Sequence, residues 1–222
     1  MKNILFVIAM KKEAKELAEK LELKKVDEEY NKLEVYRDKN ITLLISGIGK
    51  QLTLINLTRY LENCTKEEKP DLIINIGYAG STNSKIGEWV NVSKSYNYEW
   101  NIPGEQKYTV EGFENDKIKL LSQLEINNSI SEKTKTLQKC NIKELPCYSA
   151  ECFVTSTNIK DDVVFDMELH SIYMICCIYG IDLIALKKVS DNLNLEDYYK
   201  NIDMKEVMEL TSGLKFISYL LS

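Results

Sequence analysis

Apolar positions along this chain fall into two patterns. Residues 4–10 and 71–76 are largely apolar runs, the pattern of strands buried on both faces of a parallel sheet. Residues 11–23 instead place Ala14, Leu17, Ala18 and Leu21 at helical spacing, which predicts one apolar helix face. Residues 32–36 and 41–45 read as two strands about the turn 37–40. A turn at 47–50 leads into a helix over 51–62, and residues 87–93 form the next strand. Residues 116–124 read as a helix, and 142–155 as two short strands around Pro146. Residues 163–179 are apolar on nearly every face, which predicts a deeply buried helix that Gly180 ends. A strand over 181–189 and an amphipathic helix over 204–221 close the chain. Strands alternating with helices predict a three-layer α/β domain. No repeat and no Pro/Gly/Ser-rich linker divides it, so a single domain over 1–222 is expected.

One stretch does not fit the scaffold. Residues 94–115 carry Tyr96, Tyr98, Trp100, Tyr108 and Phe113 around Pro103 and Gly104, the character of a functional loop. Such a density of aromatics also suits an interface.

Composition narrows the partners. The net charge of −5 disfavours a nucleic-acid backbone or an anionic membrane. The apolar run at 4–10 is followed at once by Lys11, Lys12 and Glu13 and lacks a small-residue cleavage site, so it reads as a buried strand and not a signal peptide. No run is long enough to span a bilayer, and a cytoplasmic protein is expected. The six cysteines include no Cys-x-x-Cys pair, and His170 is the only histidine. No metal site and no cofactor are expected, and the cysteines read as free buried thiols.

The candidate chemistry lies in three acids far apart in sequence. Glu13 follows the first strand, Glu168 stands in Asp166-Met167-Glu168, and Asp191 ends a strand in Ser190-Asp191-Asn192. Ligands of open α/β sheets bind at the carboxyl ends of strands, where all three acids could meet. Each has a plainer explanation. Glu13 suits the first turn of a helix, Asp191 suits an N-cap, and Phe153 suits a core. A carboxylate inside an apolar helix, as Glu168 would be, needs a partner. His170, two residues from Glu168, points elsewhere on a helix and reads as structural.

Five segments in order give the chain a resemblance. They are residues 1–13, Ser46-Gly47-Ile48-Gly49-Lys50, Asn75-Ile76-Gly77-Tyr78-Ala79-Gly80, Met167-Glu168 and Ser190-Asp191. Together they resemble the nucleosidases that cleave methylthioadenosine and S-adenosylhomocysteine, within the larger purine nucleoside phosphorylase family. The resemblance implies a nucleoside phosphorylase-like αβα fold with a central mixed sheet, a purine nucleoside as ligand, and a homodimer. It implies that Asp191 donates a proton to purine N7, with Ser190 orienting it, and that Glu13 holds the attacking water. Glu168 would grip the ribose hydroxyls, Met167 would pack under the sugar, and Phe153 and Val154 would meet the purine. Gly77 and Tyr78 would line the sugar side with Ile48. Tyr78 departs from the family, which has a serine at that turn. The Gly47–Lys50 turn fits neither the phosphate-loop nor the dinucleotide spacing.

Three functions remain open to the sequence. Water as nucleophile makes the chain a nucleosidase, and phosphate makes it a phosphorylase. Loss of turnover would make it a nucleoside-binding relative, a reading that Tyr78 supports. Phosphate favours arginine forks, and the chain has only Arg37 and Arg59. An acid at position 13 would repel phosphate, so hydrolysis is favoured. Lys50 keeps the phosphorylase alternative open.

Overall fold

The computed structural model describes residues 3–26, 33–100 and 142–203. The predicted helices at 116–124 and 204–221, and the loop beyond residue 100, lie outside these residues. The described strands are β1 (Ile4–Ile8), β2 (Lys24–Val26), β3 (Val35–Asp38), β4 (Ile41–Ile45), β5 (Leu72–Ser81), β6 (Trp89–Asn97), β7 (Lys143–Ser149), β8 (Val164–Asp166) and β9 (Asp182–Asp191). The described helices are α1 (Lys11–Lys20), α2 (Lys50–Asn63), α3 (Leu169–Tyr179) and α4 (Leu195–Asp203).

Alternation along β1 shows why the molecule is layered. Leu5 and Val7 join a cluster with Leu57, Tyr60 and Leu61 of α2 and with Leu169, Ile172 and Ile175 of α3. Ile4, Phe6 and Ile8 join a second cluster with Ala14 and Leu17 of α1. Successive strand residues face opposite sides, so an all-apolar strand needs a helical layer on each.

The sheet is mixed. β4, β1, β5 and β9 run parallel, while β3 joins β4 antiparallel. β5 pairs with β9 for most of its length and with β8 at Gly80 and Ser81. β8 continues through β7 and β6 back to β9. That half of the sheet therefore closes on itself, and the carboxyl ends of β1, β5 and β9 open on one side.

Three sequence expectations change. Residues 164–166 are a strand, and α3 starts only at Leu169. Val164 and Phe165 suit a strand as well as a helix, and a short apolar run cannot decide by period alone. Its ladder partners in β5 and β7 decide it. Residues 143–149 form one strand through Pro146. The register slips between Val92 and Lys94 at that point, and such irregularities are where a strand tolerates proline. Finally, β6 extends to Asn97, so the predicted loop begins later. α4 and the short β2 were not predicted. Gly180 ends α3 as expected, with φ of 70°, a left-handed cap that glycine adopts at little cost.

Candidate active site

A cavity of about 400 Å3 lies at the carboxyl ends of β1, β5 and β9. Glu13, Ile48, Tyr78, Phe153, Met167, Glu168, Ser190 and Asp191 all line it. Gly77 is beside it: a Cβ there would stand 3.9 Å from Glu13 Oε1. Val154 is not among the lining residues and packs with Ala150, Val163 and Phe165.

Glu13 serves its helix and faces the cavity at once. It is the third residue of α1, and the Met10 N–H donates to its carboxylate at 3.2 Å. The Tyr78 backbone adds a second hydrogen bond. Burial nevertheless pushes its carboxyl up to about 7, with Lys187 pulling the other way.

Glu168 is not inside a helix, as the sequence suggested, but caps α3. The Gly49 N–H, at the start of α2, donates to Glu168 Oε1 at 2.9 Å. One residue thus joins the starts of two helices, its backbone at α3 and its side chain at α2. Burial raises its carboxyl to about 8, and neighbouring Asp166 adds to the rise.

Asp166 and Lys187 are the residues that sequence reasoning missed. Lys187 is 1% exposed and pairs with Asp166 Oδ2 at 2.6 Å. Ser149 Oγ donates to Asp166 Oδ1 at 2.5 Å, and the Leu169 N–H donates to Oδ2 at 2.9 Å. Burial opposes both charges. Lys187 and these donors still hold Asp166 below the ordinary carboxylate range, and Asp166 leads the groups that hold Lys187 up. A signal existed: Lys187 and Lys188 interrupt an apolar strand, and a buried lysine needs a partner.

Asp191 sits apart from that ammonium. Ser190 Oγ lies 2.8 Å from Asp191 Oδ2, and the Leu193 N–H donates to Oδ1 at 2.9 Å. Burial raises its carboxyl, against the pull of those bonds. A register shift after Ala79 pairs Gly80 with Asp191. It breaks strand alternation where two consecutive residues, Ser190 and Asp191, both enter the cavity. A Cβ on Gly80 would stand only 2.8 Å from Asp191 Oδ1, so glycine is needed there for space.

Aromatic side chains complete the wall. Phe153 and Tyr198 of α4 have ring centroids 5.5 Å apart, and Tyr198 and Tyr199 both line the cavity. Burial, then Glu13, raises the Tyr78 hydroxyl, and the same causes raise Tyr198 to about 12. His170 lies elsewhere, with Nδ1 3.3 Å from Ser95 Oγ. Burial lowers it to about 4. Cys147, Cys176 and Cys177 are buried, but Cys152 is exposed at the cavity and Cys64 is half-buried, which corrects the expectation of uniformly buried thiols. Cys152 follows Glu151 in a surface turn, where no core covers it. Among the described residues no cluster is spaced for a metal ion, and no helix is long and apolar enough to cross a membrane.

The fold has known counterparts. The family model described as the phosphorylase superfamily matches residues 3–211. No curated protein matches the chain. Among solved structures, a mutant Helicobacter pylori MTAN with 5′-methylthioadenosine in its active site is 18% identical, with a TM-score of 0.78, covering 100% of this chain and 98% of that one. Arabidopsis thaliana 5′-methylthioadenosine nucleosidase is 19% identical, with a TM-score of 0.77 and coverage of 99% and 96%. A futalosine hydrolase mutant of Helicobacter pylori is 16% identical, with a TM-score of 0.78 and coverage of 100% and 99%. At these identities the likeness establishes the fold.

Proposed function

The chain belongs to the phosphorylase superfamily, and from that premise we propose that it hydrolyses the N-glycosidic bond of a purine nucleoside, releasing base and free sugar. Methylthioadenosine and S-adenosylhomocysteine are the substrates proposed. The observation that carries this reading is the meeting of Glu13, Glu168 and Asp191, from three distant segments, in one cavity.

Cleavage needs a protonated base, a sugar that bears oxocarbenium character, and a nucleophile on its far face. Asp191 serves as general acid at N7, and burial favours its proton-carrying form. Ser190, in contact with its carboxyl, sets its orientation. Phe153 stacks on the purine. Glu168 accepts the ribose hydroxyls while Gly49 holds it in place, and Met167 packs beneath the sugar. Glu13 holds the attacking water and takes its proton. Gly77 leaves room beside Glu13, and Ile48 and Tyr78 bound the sugar side.

Electrostatics supports water over phosphate. The lining holds five carboxyl side chains, Glu13, Glu151, Asp166, Glu168 and Asp191, and no cationic one among the described residues. Lys187 is committed to Asp166. A helix start attracts phosphate through its free N–H groups, but at α2 Glu168 takes the Gly49 N–H and Glu151 takes the Gln51 N–H. Arg37 pairs with Glu68 away from the cavity.

A homodimer is part of the proposal. Leu52 and Ile55 on the first turns of α2, and Ile48 in the turn just before it, are each about half exposed and form one apolar stripe. Ile48 also lines the cavity, so a second copy seated on this stripe would border the site. Light scattering at micromolar concentration is expected to give twice the chain mass, and a single-chain mass would remove the dimer.

The deciding assay follows adenine release from methylthioadenosine with and without phosphate. Equal rates with free sugar as the product support hydrolysis. Ribose 1-phosphate as the main product would establish the phosphorylase alternative, and binding with no release would establish a non-catalytic relative.

A further inference from the structure

The cavity has an inner end and a rim, and they differ in exposure. Glu13, Glu168 and Asp191 are buried. Glu151 and Cys152 are exposed, and Ile48, Leu195 and Tyr199 are 50%, 41% and 57% exposed. All five line the same cavity as the buried acids. If base and ribose occupy the inner end, as the nucleosidase reading requires, only the 5′ substituent reaches this rim.

The rim carries one unbalanced charge. The Gln51 N–H donates to Glu151 Oε1 at 3.1 Å, and the Glu151 N–H donates to Glu99 Oε1 at 2.6 Å. Those two bonds fix the residue from both ends. Its other oxygen, Oε2, lies 2.9 Å from where a Cβ on Gly49 would stand. Gly49 has φ of 93°, so this turn both needs glycine and brings the carboxylate close over it. Lys50, which precedes Gln51 in the chain, is held by Glu99 and by Asn97 Oδ1. Among the described residues Glu151 makes no ion pair, and only the positive end of α2 offsets its charge. The apolar rim residues, Ile48, Leu195 and Tyr199, suit a thioalkyl chain on its way out.

We propose, resting on the nucleosidase reading, that Glu151 is a specificity-determining residue. It favours nucleosides whose 5′ substituent carries a cationic group such as an ammonium, as the S-adenosylhomocysteine tail does beside its carboxylate, and it discriminates against those ending in a carboxylate or phosphate alone. Two effects act in the same direction. An ammonium gains a partner in Oε2, and an anion meets a fixed like charge while Lys50 is already engaged by Glu99. The acids behind the rim add to that field for any ligand entering from solvent.

The test uses adenosines with 5′-(aminoalkylthio) and 5′-(carboxyalkylthio) chains of equal length. Each is measured by adenine release and by titration calorimetry on the wild type, Glu151→Gln and Glu151→Lys. In the wild type the ammonium compound is expected to be preferred by about tenfold in kcat/KM and in affinity, since exposed charge contacts contribute up to about fivefold each. The preference should shrink as salt is added. It should fall towards unity in Glu151→Gln and reverse in Glu151→Lys. The same preference in all three proteins, or none in the wild type, would overturn the role of Glu151. Methylthioadenosine separates this failure from failure of the nucleosidase reading. Cleavage of methylthioadenosine without charge preference sinks the rim proposal alone. No cleavage, with the affinity ratio still responding to Glu151, sinks the enzymatic reading and sustains the rim.

Discussion

The two ends of the buried wall hold carboxyl groups in opposite settings. At one end Asp166 and Glu168 crowd around the Lys187 ammonium, with Glu13 across Gly77 from it. At the other, Asp191 has a hydroxyl, two backbone amides and no described cation in contact. One ammonium cannot balance three acids. Asp166 takes it and stays ionised, while Glu13 and Glu168 are pushed to about 7 and 8. The same side-chain chemistry thus yields an ion-pair anchor, two carboxyls pushed to about 7 and 8, and a third, Asp191, that burial raises above its ordinary range. Paired titratable groups driven apart by their surroundings are how acid and base roles are divided at a single pH.

The sharpest way to break the crowded end is Lys187→Met. It leaves Asp166 buried without its counter-ion, and such losses destabilise by about 3–5 kcal/mol. Thermal or urea unfolding should register that loss, and adding Asp166→Asn should recover part of it. A midpoint unchanged by Lys187→Met would show that the pair does not hold this end together.

At the other end, Asp191→Asn keeps the shape and removes the proton. Turnover is expected to fall by about 100-fold or more, with an unchanged circular dichroism spectrum. Activity within a few-fold of wild type would take Asp191 out of the mechanism. Gly80→Ala asks whether position matters as much as chemistry. Its methyl group would meet Asp191 Oδ1 at 2.8 Å, and a displaced acid should lower kcat by at least about tenfold. If kcat holds, the Asp191 carboxyl does not depend on this clearance.

Glu13 links activity to stability. As the proposed base it must be ionised, so kcat/KM should rise with pH through about 7, well above an ordinary carboxylate. Glu13→Gln should lower kcat far more than it raises KM, as expected for a group needed mainly in the transition state, and the acid limb should vanish. An acid limb near 4.5 in the wild type would assign it to another group.

The last effect is on folding. The carboxyl of Glu13 titrates higher in the folded chain than in the unfolded one, so the folded state holds its proton longer. Its contribution to stability is therefore complete below about pH 4.5 and is lost as pH rises to about 7. At pH 9 Glu13→Gln should be more stable to thermal unfolding than wild type, by up to about 3 kcal/mol. A gain equally large at pH 4 would point to packing and not to charge.

Local pattern was enough for the layered architecture. Apolar runs such as that in β1 demand cover on both faces, and the spacing of Ala14 and Leu17 supplies it on one of them. The acids Glu13, Glu168 and Asp191 could be picked out because charge at the edge of an apolar element is costly unless it is used or paired. What the chain in one dimension could not express was pairing over distance. Residues 164–166 become a strand through partners in β5 and β7, and Pro146 is accommodated by a slip in β6. Lys187 finds Asp166 across 21 residues, and Glu151 reaches the start of α2 across 100. Hydrophobic period is a local property that each segment carries by itself. The balance of buried charge depends on which segments the fold brings together, so only the tertiary structure decided it.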